Sequence, residues 1–112
     1  MSIEIESKNQ IDTVIKFGNI CLLEMMFKVL EKKKALKGAI ELPSIEKGKY
    51  ATLLRELEVS GPIRKNWPNF SSLGKNKYHC HLSYSWVACW ENVKGSIVIE
   101  VYYVGSRENA PY

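Results

Sequence analysis

The chain has 112 residues, fewer than the roughly 150 of a typical domain, which excludes separate cofactor and substrate domains. Its 46% hydrophobic and 25% charged residues suit a folded globular protein and exclude a disordered tail, a collagen-like repeat and a disulfide-dense miniprotein. Sixteen Lys and Arg against twelve Asp and Glu leave a formal charge of +4, moderate in size and informative mainly in its distribution.

In chain order, residues 10–36 place Ile11, Val14, Ile15, Leu22, Met25, Met26, Val29 and Leu30 near the i, i+3, i+4, i+7 spacing that predicts an amphipathic helix, with a break at Gly18. Met25, Met26 and Phe27 are expected in the core. Lys32, Lys33, Lys34 and Lys37 followed by Gly38 read as the end of that helix, where cations complement the dipole and glycine accepts the left-handed cap. A second helix is predicted from Ser44 or Lys49 to Val59, with Tyr50, Leu53, Leu54 and Leu57 on one face and Gly61-Pro62 stopping it. Residues 61–76 are rich in turn formers and read as a loop pinned by Trp67 and Phe70. Three β-type runs follow, Lys77 to Leu82, Trp86 to Glu91 and Ser96 to Val104, joined by hairpin-length connections into an antiparallel meander. Residues 105–112 form a tail. The expected fold is one α+β domain, N-terminal helices packed on a small antiparallel sheet.

No apolar run reaches the roughly 18 residues that cross a bilayer, and Glu4 and Glu6 stand where a signal peptide is basic and then apolar. The expectation is a cytoplasmic protein with no membrane partner. Cys21, Cys80 and Cys89 are odd in number and widely spaced, which fits free thiols in a reducing compartment.

Between Glu58 and Glu91 there is no acidic residue, while Arg64, Lys65, Lys75, Lys77 and the only two histidines, His79 and His81, fall there. That region is expected to present a positive face, which either receives a polyanion or is simply a solvated surface. In a strand, His79 and His81 share one side while Cys80 and Leu82 take the other. If Leu82 faces the helices, the two imidazoles point to the opposite, less covered face. Paired imidazoles titrating near neutrality can serve as general base and general acid, in an order that spacing leaves open, and spacing alone equally fits two surface histidines. No recognised spacing supplies further ligands to the His-x-His pair, so no metal is expected. Neither a nucleophilic cysteine motif nor a phosphate-binding glycine loop is present. Arg107 and Tyr112 follow the last strand, where a guanidinium could hold a phosphate and a phenol could stack on an unpaired base.

From about Leu54 to Tyr112, the runs Arg64-Lys65-Asn66-Trp67-Pro68-Asn69-Phe70, Lys77-Tyr78-His79-Cys80-His81-Leu82, Val87-Ala88-Cys89-Trp90-Glu91 and Tyr102-Tyr103-Val104-Gly105-Ser106-Arg107-Glu108-Asn109-Ala110-Pro111-Tyr112 resemble the RelE-like toxins of the RelE/ParE superfamily, in particular the cytotoxic translational repressors. The resemblance implies a curved antiparallel sheet, with a short first strand in Ile3 to Glu6 also accommodated. It further implies metal-independent and cofactor-free cleavage of messenger RNA on the ribosome, by attack of a ribose 2′-hydroxyl on the adjacent phosphorus. The family's first meander strand carries the acid and base, which correspond here to His79 and His81; the family's arginine and tyrosine correspond to Arg107 and Tyr112. Where several members have an arginine at the start of the next strand, this chain has Trp86. Charge stabilisation would then rest on Arg107, with Arg64, Lys75 or Lys77 assisting, Lys65 adding to the basic surface, and Trp86 free to stack on a base. The resemblance also implies a cognate antitoxin that covers the basic face. Two other readings remain open at this point, a ParE-like toxin that inhibits DNA gyrase and a degenerate domain that binds RNA or antitoxin without catalysis.

Overall fold

The computed structural model describes residues 26–112. Strand β1 (Lys28–Glu31) leads into helices α1 (Lys33–Ile40) and α2 (Ser44–Ser60), followed by β2 (Ser71–Gly74), β3 (Lys77–His81), β4 (Trp86–Asn92), a short 3-10 turn (Val93–Gly95) and β5 (Val98–Ser106). The five strands form one sheet in the order β1-β5-β4-β3-β2. The meander pairs antiparallel, and β1 adds to β5 in parallel, from Lys28 opposite Val98 to Glu31 opposite Val101. The domain is therefore α+β, as expected, on a mixed sheet.

The first predicted helix is corrected at its C-terminal end. Lys28–Glu31 alternates exposed and half-buried side chains, a period of two that four residues of a longer helical pattern conceal. Met26 is 62% exposed, whereas Phe27 packs against the core. Lys33 and Lys34 begin a helix rather than end one, in the first turn of α1, while Lys37 lies in its last turn. Gly38 lies inside α1, where a Cβ would stand 1.7 Å from the Val104 carbonyl oxygen. It permits close helix-to-strand contact, beside the fully buried Ala35. The predicted features at residues 10–25, the Ile3 to Glu6 strand and Cys21 lie outside the described residues.

Helix α2 follows its predicted course. Tyr50, Leu53 and Leu57 are buried on one face, and the chain stops at Gly61, whose φ of +93° and contact with the Phe27 ring both exclude a side chain. Both helices cover one face of the sheet, where Leu53 and Leu57 meet Cys80, Leu82, Trp90, Ile99 and Val101. Burying each large side chain contributes about 1.5–3 kcal/mol. Trp67 and Phe70 pin the connection to that core as anticipated, with Phe70 stacked on Tyr78 at 5.7 Å. The expected loop is shortened because Ser71–Gly74 pairs with β3 as an edge strand.

Candidate functional site: the tail-covered face of the sheet

The sheet face away from the helices carries a second cluster, Val87, Cys89 and Tyr103, with Leu73, Tyr102 and Ala110 packed on it. The register of β3 against β4 places His79 opposite Cys89 and His81 opposite Val87, so both imidazoles belong to this face. Lys77 shares their alternation, and its ammonium lies 5.8 Å from the centre of the Tyr102 ring. A bulge makes the aromatic floor: Cys89 pairs with Tyr103 and Trp90 with Val101, leaving Tyr102 as the extra residue. Tyr102 and Tyr103 consequently pack on the same cluster although adjacent in sequence.

The tail returns across this floor. Arg107 N–H donates to the Ser85 carbonyl at 2.8 Å, and Ala110 N–H to the Arg107 carbonyl at 3.3 Å. The Tyr103 hydroxyl donates to the Ser106 carbonyl at 2.8 Å, and Gly105 lets that ring lie over its own strand, since a Cβ there would be 2.7 Å from the hydroxyl. Tyr112 ends with its ring centroid 4.4 Å from that of His79, and the His79 and His81 rings are 5.7 Å apart. The anticipated sparse covering of this face is corrected here, because His79 and His81 are only 7% and 8% exposed.

Each ring is held at Nδ1. Ser71 Oγ lies 3.1 Å from His79 Nδ1, and Asn69 Nδ2 lies 3.3 Å from His81 Nδ1. Asn69 adopts a positive φ of 54°, a conformation that asparagine tolerates better than most residues. Ser71 comes from β2, opposite His79 in the ladder. Sequence reading missed both residues, and the only signal was Asn69 among turn formers. Burial lowers the pKa of both imidazoles. The His81 charge adds to the effect on His79 and the Arg107 charge to that on His81, against the opposing pull of the Ser71 and Ser83 backbone groups. Burial pushes the Cys89 thiol up to about 12, so it stays neutral beside the rings.

The remaining predicted residues distribute unevenly. Arg107 is exposed, with its guanidinium 4.6 Å over the Tyr84 ring. Arg64 turns away from the site to pair with Glu56 at 3.2 Å, on a carboxylate oxygen that also accepts from Asn66 Nδ2 and Trp67 Nε1. Lys65 and Lys75 are exposed, Lys75 in the β2–β3 turn. Trp86 packs on the helix-side cluster rather than beside the histidines. Among the described residues no three His, Cys, Asp or Glu side chains converge as a metal site, and no helix is long and apolar enough to cross a membrane.

No protein-family model matches the sequence, and the search of curated proteins gives no match. Solved structures do match. RelE in the archaeal RelE–RelB complex of Pyrococcus horikoshii aligns at a TM-score of 0.61 and 17% identity, covering 77% of this chain and 100% of that one. The isolated Escherichia coli RelE toxin aligns at 0.58 and 21% identity, covering 76% and 88%. The E. coli DinJ–YafQ toxin–antitoxin complex aligns at 0.61 and 12% identity, covering 78% and 99%. Two helices on one face of a bulged sheet, the return of the tail over the other face and these alignments give one conclusion: the chain has the fold of the RelE-like toxins.

Proposed function

We propose that this protein is the toxin of a type II toxin–antitoxin pair and an endoribonuclease that cleaves messenger RNA on the ribosome, acting in the cytoplasm. The observation that carries this reading is the His79–His81 pair, two mostly buried imidazoles anchored at Nδ1 with the Tyr112 ring against His79 and the Arg107 charge acting on His81. The fold shared with toxins crystallised as toxin–antitoxin complexes supports a protein antitoxin as partner.

The chemistry requires a base, an acid and positive charge. Neutral His79 directs Nδ1–H to Ser71, which leaves the Nε2 lone pair to take the proton of the ribose 2′-hydroxyl. The 2′-oxygen bonds to phosphorus, the phosphorus–O5′ bond breaks, and His81 in its protonated form gives its Nε2 proton to O5′. The products are a 2′,3′-cyclic phosphate and a free 5′-hydroxyl. Mutual repulsion between the rings favours the state with one proton between them, and the Arg107 charge that lowers the His81 pKa makes its imidazolium a stronger acid. Asn69 serves both forms of His81: its Nδ2–H donates to the neutral ring, and a half-turn of the amide offers Oδ1 to the imidazolium. Arg107 meets the charge that develops on the phosphoryl oxygens, and Lys77 adds positive potential along the same face. Tyr112 supplies a stacking surface for a base next to the scissile bond.

The test is induced expression in a bacterial host with messenger 5′ ends mapped for wild type and for His79→Ala/His81→Ala. Expected are new cuts within translated codons that vanish in the variant and are suppressed by the product of the neighbouring gene. Cuts that persist in the variant remove the histidines from catalysis. Growth arrest without cuts, with DNA supercoiling inhibited, transfers the function to gyrase.

A further inference from the structure

A cavity of about 530 Å³ opens between α1 and the end of β5, lined among others by Lys34, Lys37, Trp86, Tyr103 and Asn109. A smaller one of about 270 Å³ holds Tyr84 and Arg107. Trp86 and Ser106 line both, so the two cavities meet at the indole. His81 pairs with Val87 and Val87 with Gly105, while the adjoining Trp86 pairs with Ser106, so the smaller cavity lies at the strand ends next to the His81 row. Around those strand ends Arg107 and Tyr84 lie between His81 and Trp86, which packs on the helix side near the two lysines.

The chemistry there is that of a single-stranded nucleic-acid groove, aromatic faces interleaved with cations, with the Glu108 carboxylate beside Arg107 on the wall of the smaller cavity. Trp86 offers a π-face at the junction. Lys34 is drawn toward the cavity, its ammonium 5.8 Å from the centre of the Tyr103 ring, and Lys37 lies one turn further along α1. Glu41 also lines the larger cavity and, with Asn109, supplies acceptor and donor groups to a base edge. The sequence pattern marks the lysines as a helix terminus, whereas the positions of Lys34 and Lys37 in the first and last turns of α1 bring them to one wall.

We propose that the Trp86 cavity is a nucleotide subsite, in which the RNA residue beyond the scissile position sets its base against the indole and its phosphate between Lys34 and Lys37. This deepens the proposed ribonuclease reading and rests on it for the direction of the strand.

The experiment measures binding of uncleavable 2′-O-methyl oligonucleotides by fluorescence anisotropy across a range of salt. One oligonucleotide is short enough to span only the scissile step, and the other continues past it. Trp86→Ala is expected to weaken the longer one at least about fivefold and Trp86→Phe to retain it, because stacking needs only a ring. Lys34→Ala/Lys37→Ala, two changes at exposed positions, is expected to reduce the slope of log affinity on log salt by about 0.7 for the longer oligonucleotide, the share of one phosphate on a single strand, and to leave the short one unchanged. Affinity and slope unchanged in every variant, as a protein-docking pocket would give, overturn the subsite; so does a wild type that binds neither oligonucleotide. Mapping of messenger ends in parallel separates the two readings. Wild type that binds through Trp86 and the lysines but cuts no messenger loses the nuclease function and keeps the subsite, whereas wild type that cuts while its binding ignores the variants loses the subsite alone.

Discussion

The ring of Tyr112 lies 4.4 Å from that of His79 at an interplanar angle of 42°, so the last residue of the chain roofs the first imidazole of the pair. Burial raises the Tyr112 phenol pKa, and the neutral ring withholds a negative charge from the site, as the proposed reaction at phosphorus requires. If stacking is its role, Tyr112→Phe retains cleavage, while Tyr112→Ala loses at least about tenfold through misplacement of the bound base. Single-turnover cleavage on programmed ribosomes measures both, and a Phe variant as weak as Ala assigns the work to the hydroxyl instead.

Both imidazoles have pKa values below the ordinary histidine value, and the proposed reaction needs one ring neutral and one protonated. The rate against pH is therefore expected to be bell-shaped, with its maximum on the acid side of pH 6.5. Arg107→Gln should raise the His81 pKa, move the alkaline limb upward and lower the maximal rate on the order of 100-fold through loss of charge stabilisation. Imidazole proton NMR titration of wild type and variant checks the shift independently of activity. A His81 pKa unmoved by the substitution would contradict the electrostatic coupling.

The same depressed values have a stability consequence. The unfolded chain binds protons at the ordinary histidine value and the folded one only at lower pH, so stability is full above pH 6.5 and falls as pH drops toward the folded values. His79→Asn/His81→Asn, which keeps a polar atom near the Nδ1 position, is expected to flatten that dependence. Denaturant midpoints across the window provide the measurement.

Much of this arrangement is legible in the sequence, and the unreadable parts share a cause. Helix α2 announces itself through Tyr50, Leu53, Leu57 and its Gly61-Pro62 stop, and the meander through alternation and short connections, because these are local signals. That His79 and His81 share a face is equally local. Strand β1 is not, since its four residues acquire a partner only from β5 about 70 residues later. The covering of the histidines depends on the Tyr102 bulge and the return of the tail, neither of which leaves a period in the sequence. Arg64 looks like one more cation in an acid-free run until α2 brings Glu56 to it, while Trp86 sits beside the lysines of α1 only in three dimensions.

Gly38 gives a test in which helix propensity and packing point in opposite directions. Propensity alone makes Gly38→Ala stabilising by up to about 1 kcal/mol, but the added Cβ would meet the Val104 carbonyl oxygen at 1.7 Å. Packing should win, because the helix must move off β5 to admit the methyl group. A loss of about 1–3 kcal/mol is expected, measured as a lower denaturation midpoint. A variant as stable as wild type would mean that α1 does not approach the sheet this closely.

Glu56 organises the loop that carries Asn69. Its Oε1 accepts from Trp67 Nε1 at 2.8 Å, Asn66 Nδ2 at 3.1 Å and Arg64 at 3.2 Å. Burial alone would raise the carboxyl pKa, but these donors and the Arg64 charge together hold it below the usual carboxylate value. The stabilisation is therefore complete above that value and is lost as pH falls through the lower folded one. Glu56→Ala should cost about 1–3 kcal/mol, because Arg64, whose Nε is already buried without a partner among the described residues, and Trp67 Nε1 lose their acceptor together. The loop reaches His81 through Asn69 Nδ2 and through the Pro68 carbonyl, which accepts from His81 N–H at 2.8 Å, so the variant should also reduce cleavage by loosening His81, an effect visible as broadening of the His81 resonance while that of His79 stays sharp. Loss of stability with both resonances unchanged would confine Glu56 to the core and detach this loop from the site.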